Sequence, residues 1–347
     1  MAKLVYKLAM AAVLLAAIVW VANPLYTHYF FKNDVLEAKG KLLFDLDSLQ
    51  YTNEVLYFGE SSDLTIAETD TCQWSISQMI DKLSPKNVGR VSTHAIHGAT
   101  YVKLIQNIKP DSKVKTIIVT LNLRSFGADW IHSRLETPLM KTNVLYEPMP
   151  PILRRLQVVF NGYDNTQTDI REERRMQHWQ HDKINVPDTF PYKNVNDWDM
   201  AAGKDNIYNY VLPNGARNDP KIELACHYIK TYAFSIDVDK NPRIADFDKI
   251  VALAKTKKLN VVFNLLAENL EYADSLVGPV LVNLMRQNRD LLVKRYTQPG
   301  VIVVDNLETV TNGLDFTDQN WTTEHYNQTG RWLVARNVVS KADVWLK

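Results

Sequence analysis

Short strand-forming runs alternate with amphipathic segments along most of the chain from residue 54 onward. The predicted strands cover residues 54–58, 87–92, 116–122, 259–266 and 300–306. The predicted helices cover residues 75–83, 98–108, 219–234, 243–257, 268–296 and 328–345. Because this alternation is typical of parallel strands joined by crossover helices, the pattern predicts an α/β fold with a parallel central sheet. The runs VVF and VIVV are wholly apolar, as expected of central strands covered on both faces.

Residues 130–217 interrupt this rhythm with segments rich in charged, proline and aromatic residues. Examples are PMPPILRR, REERRMQHWQHDK and a stretch that contains Trp198, Tyr208 and Tyr210. A segment of this length inside one domain usually has a function or secondary structure of its own. We therefore expect an insertion over the carboxyl edge of the sheet that serves as a lid or a glycan-facing surface. The alternative is a helical excursion whose charges are solvated.

The N-terminus carries an uncharged apolar run at residues 8–22, preceded by Lys3 and Lys7. With residues 4–6 included, this run approaches the roughly 20 residues that span a bilayer as a helix. Since basic flanks stay in the cytoplasm, residues 32–347 are expected outside it, in the periplasm or at the cell surface. We therefore predict that residues 1–31 form a single membrane anchor with an interfacial aromatic segment. A cleaved signal peptide and a buried core helix are the alternatives.

Composition removes several classes of function. The 40 Lys and Arg residues nearly balance the 39 Asp and Glu residues, so no overall field attracts nucleic acid. Cys72 and Cys226 have neither the number nor the spacing of a zinc site, although two such thiols could pair. We therefore expect no metal, no cofactor and no nucleic-acid partner.

Two serines follow the first predicted strand in the stretch VLYFGESSD. Ligands of open α/β sheets bind at the carboxyl ends of the strands, so Ser61 and Ser62 are expected at that edge. A serine there becomes a nucleophile when a base reaches its hydroxyl and donors stabilise the oxyanion. The alternative is an ordinary turn or a helix cap, for which serine is a favoured residue.

His325 is the candidate base, because it lies after the last predicted strand and just before the final helix. It would therefore share the carboxyl edge with Ser61. His178 and His181 fall in the insertion, and no cluster of further ligands accompanies them to form a metal site.

The order of these motifs resembles the SGNH, or GDSL-type, hydrolase superfamily. GESSD follows the first strand, HGAT opens a helix after the second, TLNLRSF follows the third, and a histidine precedes the last helix. The resemblance implies a three-layer, flavodoxin-like fold with Ser61 as nucleophile and His325 as base. It also implies an oxyanion hole made by the Ser61 amide, Gly98 and Asn122. The alternatives are Ser62 in place of Ser61, and Arg124 or Ser125 in place of Asn122.

The family's acid stands three residues before the histidine, where this sequence has Thr322. Three carboxylates nearby could orient the imidazole instead: Asp318, Glu324 and Asp315. Asp318 is the preferred candidate, because the adjacent Glu324 would have to turn back on itself to reach Nδ1. A Ser-His dyad without an acid is a further alternative.

An N-terminal span that carries such a domain resembles the D-alanyl transfer protein and the alginate and peptidoglycan O-acetylation proteins. This resemblance implies a serine esterase or O-acyltransferase that acts on acyl groups, expected to be acetyl, of a cell-envelope or secreted polysaccharide. It also implies a membrane-bound O-acyltransferase as partner. The alternative is a non-catalytic anchored subunit that binds glycan or scaffolds such an acyltransferase.

Overall fold

The structure, a computed structural model, describes residues 2–37, 41–133, 142–161, 170, 173–174, 220–318, 321 and 324–347. Most of the predicted insertion at 130–217, with His178 and His181, lies outside the described residues, and so does Thr322.

A five-stranded parallel sheet forms the centre of the molecule. Its strands are β1 (Val55–Gly59), β2 (Val88–Ser92), β3 (Thr116–Leu121), β4 (Asn260–Leu265) and β5 (Val301–Asp305). Their spatial order is β2-β1-β3-β4-β5, which is the flavodoxin-like order. The predicted α/β fold with a parallel sheet is confirmed, and each observed strand lies within one or two residues of its predicted bounds.

Helices surround this sheet and precede it. They are α1 (Ala2–Tyr29), α2 (Phe31–Glu37), α3 (Lys41–Leu49), α4 (Ser61–Leu64), α5 (Ile76–Leu83), α6 (Gly98–Gln106), α7 (Ala128–Ile131), α8 (Pro151–Asn161), α9 (Pro220–Tyr232), α10 (Pro242–Lys257), α11 (Leu270–Leu276), α12 (Pro279–Tyr296), α13 (Gln328–Lys341) and α14 (Asp343–Leu346). Within the described residues, two 3₁₀ helices cover Leu123–Phe126 and Gly313–Asp315.

The strands are buried on both faces because successive side chains enter two different cores. On β1, Leu56 and Phe58 belong to a core that includes residues of α3, α6, α9, α10 and α12. Val55 and Tyr57 belong to a second core, shared with α5, α13 and α14. Alternation along a strand therefore produces three layers, with helices on both sides of the sheet.

Two predicted helices are shorter in the structure than in the sequence-based prediction. The segment predicted as one helix at 268–296 is two helices, α11 and α12, separated at Gly278 and Pro279. Gly278 has φ +105°, outside helical space, and Pro279 cannot continue a helix because it lacks an N–H. The final helix likewise ends at Lys341, and a separate short helix follows Ala342.

Helix α1 is long and apolar enough to span a membrane, with 28 residues and no buried residue. A helix of this kind near an N-terminus also fits a signal sequence. Helix α8 packs beside it, where the Ile152 amide donates to the Asn23 side chain at 3.1 Å. Arg155 lies 3.3 Å from Asp34, which ties α8 to α2 as well.

The two cysteines lie on opposite sides of the sheet. Cys226 belongs to the first core, and Cys72 packs against the second. No disulfide joins them.

Gly59 is the position at which the end of β1 admits no side chain. A Cβ there would lie 2.5 Å from Ser92 Oγ and 2.6 Å from the Tyr57 ring. We expect Gly59→Ala to destabilise the fold by about 1–3 kcal/mol through overpacking. The measurement is urea unfolding, with Ser61→Ala as the control because Ser61 is only partly buried. An unchanged midpoint for Gly59→Ala would contradict this reading of the turn.

Candidate active site

The turn after β1 is held in place by one buried carboxylate. Asp63 accepts hydrogen bonds from the Ser77 amide at 2.7 Å, the Ser77 hydroxyl at 2.9 Å and the Ser92 hydroxyl at 2.7 Å. Burial nevertheless raises the pKa of Asp63, and the hydrogen bonds oppose that rise. These contacts join α4 to α5 and to β2, so the residues that precede Asp63 have a fixed position at the sheet's edge.

Ser61 and Ser62 have different surroundings in this turn. Ser61 is the first residue of α4 and is partly exposed. Ser62 is fully buried, and its hydroxyl has no hydrogen-bond partner among the described residues. A substrate can therefore reach Ser61 but not Ser62.

His325 lies in the loop between β5 and α13, and local contacts hold this loop in place. Its carbonyl accepts from the Thr317 amide at 2.9 Å, and an antiparallel bridge joins Phe316 to Tyr326. Its Nε2 is buried and has no hydrogen-bond partner within the described part of the chain. His94, which follows β2, is close enough for its charge to act on the imidazole. The structure thus brings His325 to the edge where Ser61 lies.

Burial lowers the pKa of His325, and the charge of Glu324 opposes this effect. Arg124 and His94 also lower it, whereas Asp318 raises it. A lowered pKa keeps the imidazole neutral at pH 7, the form that can accept a proton from a hydroxyl.

The three candidate acids differ in what they contact. Asp315 receives a hydrogen bond from the Asn327 side chain at 3.1 Å, so it supports the start of α13. Glu324 forms an ion pair with Arg124 at 2.7 Å. The charges of Glu324 and, to a smaller extent, of Asp318 both raise the pKa of His325.

Two of the predicted oxyanion groups also have structural partners. Gly98 is the first residue of α6, and a Cβ there would lie 3.0 Å from Asp246 Cβ. The Asn122 side chain accepts from the Arg124 amide at 3.1 Å and donates to Glu60. Asn122 Nδ2 carries a second hydrogen, so the amide can donate once more in the same orientation.

A cluster of buried acids surrounds Arg124 at the ends of β1, β3 and β4. Glu60, Glu268 and Glu324 are only 6%, 1% and 0% exposed. Glu324 forms an ion pair with the Arg124 guanidinium. Glu60 accepts a hydrogen bond from the Asn122 side-chain amide, and Glu268 accepts one from the Tyr232 hydroxyl. The cluster therefore places three carboxyl groups around one guanidinium.

Two of these carboxyl groups have strongly perturbed acidities. Burial, together with the charge of Glu324, raises the pKa of Glu60 well above its ordinary value. The same causes raise the pKa of Glu268 to about 8. Burial alone would lower the pKa of Arg124, but the charge of Glu324 and its neighbours raises it. Burial therefore disfavours the ionised forms of Glu60 and Glu268, whereas Glu324 has Arg124 as its ion-pair partner.

Sequence reasoning missed Glu60 and Arg124 as partners in one cluster, although it placed Asn122 at this edge. The available signal was the position of polar residues directly after apolar strands. Asn269 proves to be the N-cap of α11, and Arg331 pairs with Asp70 at 2.8 Å, so both have structural roles. Within the described residues, no group of three or more His, Cys, Asp or Glu residues is arranged to hold a metal ion.

The sequence matches no family model. No curated protein matches it either. A solved structure from Streptococcus pneumonia, whose description names a platelet activating factor, aligns with 90% of this chain and 95% of its own. Its identity to this chain is 10% and the TM-score is 0.39, so the similarity carries no argument about activity. The function must be inferred from the site itself.

We expect Glu268→Gln to flatten the dependence of stability on pH. The pKa of Glu268 is raised to about 8 in the folded protein, against about 4.5 in the unfolded chain. Its contribution to the free energy of unfolding is therefore fully present below about pH 4.5. That contribution is lost as the pH rises towards 8, because only the unfolded state ionises freely. The measurement is the melting temperature at intervals from pH 5 to pH 8.5, and the wild type should fall more steeply than the variant. Parallel curves would show that Glu268 does not titrate with a raised pKa.

Proposed function

We propose that this protein is a serine esterase or O-acyltransferase whose nucleophile is Ser61 and whose base is His325. The observation that supports this proposal is that a partly exposed serine follows β1 and a largely buried imidazole follows Glu324, which pairs with Arg124 at the end of β3. The imidazole is neutral at pH 7, and its Nε2 is left without a partner among the described residues. A nucleophile and a base on the same edge are the minimum that acyl transfer requires.

In the first step, Ser61 Oγ attacks the acyl carbonyl carbon while His325 Nε2 takes the hydroxyl proton. The carbonyl electrons move to the oxygen, which the Ser61 N–H, the Gly98 N–H and Asn122 Nδ2 would stabilise. The Glu60 side chain makes no capping hydrogen bond to the first amides of α4. When the intermediate collapses, His325 returns the proton to the leaving alcohol, and an acyl-serine remains.

In the second step, water or a polymer hydroxyl attacks the acyl-serine, and His325 takes the proton of the attacking oxygen. Collapse returns that proton to Ser61 and releases either a carboxylic acid or a new ester. Asp318 is the proposed orienting acid, and its negative charge would add to that of Glu324 in stabilising the imidazolium that forms in both steps.

The proposed setting is the outer face of a membrane. Helix α1 would serve as an uncleaved anchor with its N-terminus in the cytoplasm. The acyl group, expected to be acetyl, would come from or go to a cell-envelope or secreted polysaccharide. A membrane-bound O-acyltransferase is the proposed partner.

A second candidate function is a non-catalytic anchored subunit that binds glycan or scaffolds an acyltransferase. It is favoured by the engagement of two candidate acids elsewhere, Glu324 with Arg124 and Asp315 with Asn327. A triad that lacks its acid typically loses orders of magnitude in rate.

We expect Ser61→Ala and His325→Ala each to lower the turnover of p-nitrophenyl acetate by at least about 1,000-fold, because each removes a group that acts in every step. Ser62→Ala should retain activity, since its buried hydroxyl has no partner to lose. Far-ultraviolet circular dichroism checks that all three variants are folded.

A serine-directed fluorophosphonate probe separates the two candidate functions. Labelling of the wild type and of Ser62→Ala, but not of Ser61→Ala, supports the enzyme. A folded wild-type protein that the probe does not label at any pH supports the non-catalytic subunit.

We expect the full-length chain to remain in the membrane fraction after an alkaline carbonate wash. An apolar helix that spans the bilayer is not released by high pH, whereas a peripheral protein is. N-terminal sequencing of the washed protein should begin at the first residues of the chain. Recovery of a soluble form that begins near residue 23 would identify residues 1–22 as a cleaved signal sequence.

A further inference from the structure

Two residues of the buried acid cluster are sequence neighbours of the proposed catalytic pair. Glu60 immediately precedes Ser61, and Glu324 immediately precedes His325. Asn122 donates to Glu60, and Arg124, two residues further along the chain, pairs with Glu324. Glu324 is close enough for its charge and its side chain to raise the pKa of Glu60. A contact between these two side chains therefore joins the turn after β1 to the loop before α13.

We propose that Glu60 and Glu324 share one proton, and that this carboxyl–carboxylate pair positions Ser61 against His325. Glu60 is the protonated donor, and Glu324 is the ionised acceptor. Both are positioning residues, since neither is placed in contact with the reacting atoms. The effect on turnover rests on the proposed function, whereas the shared proton does not.

The hydrogen-bond pattern leaves one place for this proton. Arg124 Nη2 donates to Glu324 Oε1 at 2.7 Å, and Asn122 Nδ2 donates to Glu60 Oε1. Glu324 Oε2 is buried and accepts no hydrogen bond from an amide, hydroxyl or guanidinium group among the described residues. A proton on Glu60 supplies the missing donor, whereas two carboxylates in contact would repel each other.

The charges around Glu60 agree with this assignment. The groups that act on it include Glu324 from the final loop, Arg124 from the 3₁₀ helix after β3 and the neutral Asn122. His325 is the neighbouring base, and burial lowers its pKa, which favours the neutral imidazole. The remaining titratable groups of the neighbourhood are acids: Tyr57 of β1, Tyr101 of α6, Tyr326, Glu268 and Tyr232. Arg124 is the one cation of this set, and it already pairs with Glu324. A second buried carboxylate without its own cation is costly, so Glu60 retains its proton.

The shared proton makes the alignment of Ser61 and His325 sensitive to alkali. As the pH rises through the raised pKa of Glu60, the donor is lost and Glu60 and Glu324 repel each other. Activity should then fall on the alkaline side, while protonation of His325 limits it on the acid side. The expected dependence of kcat/KM on pH is bell-shaped, and ionisation of Glu60 causes the decrease at alkaline pH.

Glu60→Gln is the direct test, because its amide can accept from Asn122 and donate to Glu324 without titrating. We expect this variant to keep kcat/KM within about threefold of the wild type at pH 7 and to lose the alkaline limb. Glu60→Ala should lose at least about tenfold at pH 7, since Glu324 and Asn122 both lose a partner. Glu54→Gln is the matched control, since Glu54 is exposed at the opposite end of β1. An alkaline limb that is unchanged in Glu60→Gln would overturn the proposal, as would activity in Glu60→Gln as low as in Glu60→Ala.

A second measurement tests whether Glu60 holds the shared proton without using activity. In a Ser61→Ala background, the melting temperature should fall as the pH rises above about 4.5, the ordinary pKa of glutamate in the unfolded chain. Adding Glu60→Gln should reduce that slope, whereas adding Glu54→Gln should leave it unchanged. If Ser61→Ala is as active as the wild type, the proposed function fails, yet this arm still tests the shared proton. Equal slopes with and without Glu60→Gln would overturn the shared proton even if Ser61 is the nucleophile.

Discussion

The edge of this sheet is organised by a shortage of positive charge, since three buried carboxyl groups meet one guanidinium. Arg124 pairs with Glu324 at 2.7 Å, while Glu60 and Glu268 bond to the Asn122 amide and the Tyr232 hydroxyl. Full ionisation would leave two uncompensated charges away from water, which costs far more than neutral acids do. The pKa values of Glu60 and Glu268 are accordingly raised, which opposes the appearance of these uncompensated charges.

The topology explains why these groups meet. The chain leaves β1 for β2 on one side and later returns to β3 on the other, so the ends of β1 and β3 flank the point where the strand order reverses. Glu60 and Ser61 follow β1 directly, and Asn122 and Arg124 follow β3. The loop with Glu324 then closes over the same ends. Residues separated by as much as 264 positions therefore share one site.

Local patterns predicted the fold well and the site only in part. Apolar strand runs such as TIIVTL and helix starts such as Ser75 depend on neighbouring residues, so periodicity and capping rules locate them. The acid cluster has no such local signal. A glutamate beside a strand, such as Glu60, usually lies in solvent, and only its contacts with Asn122 and Glu324 reveal a buried acid. The dipeptide Gly278-Pro279 signals a helix break, but the helical apolar pattern continues on both sides of it and predicted a single helix.

The acidity of the base and the protonation of the cluster depend on each other. Ionised Glu324 raises the pKa of His325, while Arg124 lowers it, so the ion pair exerts opposing effects on the imidazole. Glu324 can remain ionised in this buried place because Arg124 compensates its charge and Glu60 holds a proton. If Glu60 were ionised instead, the two carboxylates would compete for the same guanidinium and repel each other. The proton on Glu60 therefore supports the basicity of His325 indirectly, because it allows Glu324 to remain ionised beside the imidazole.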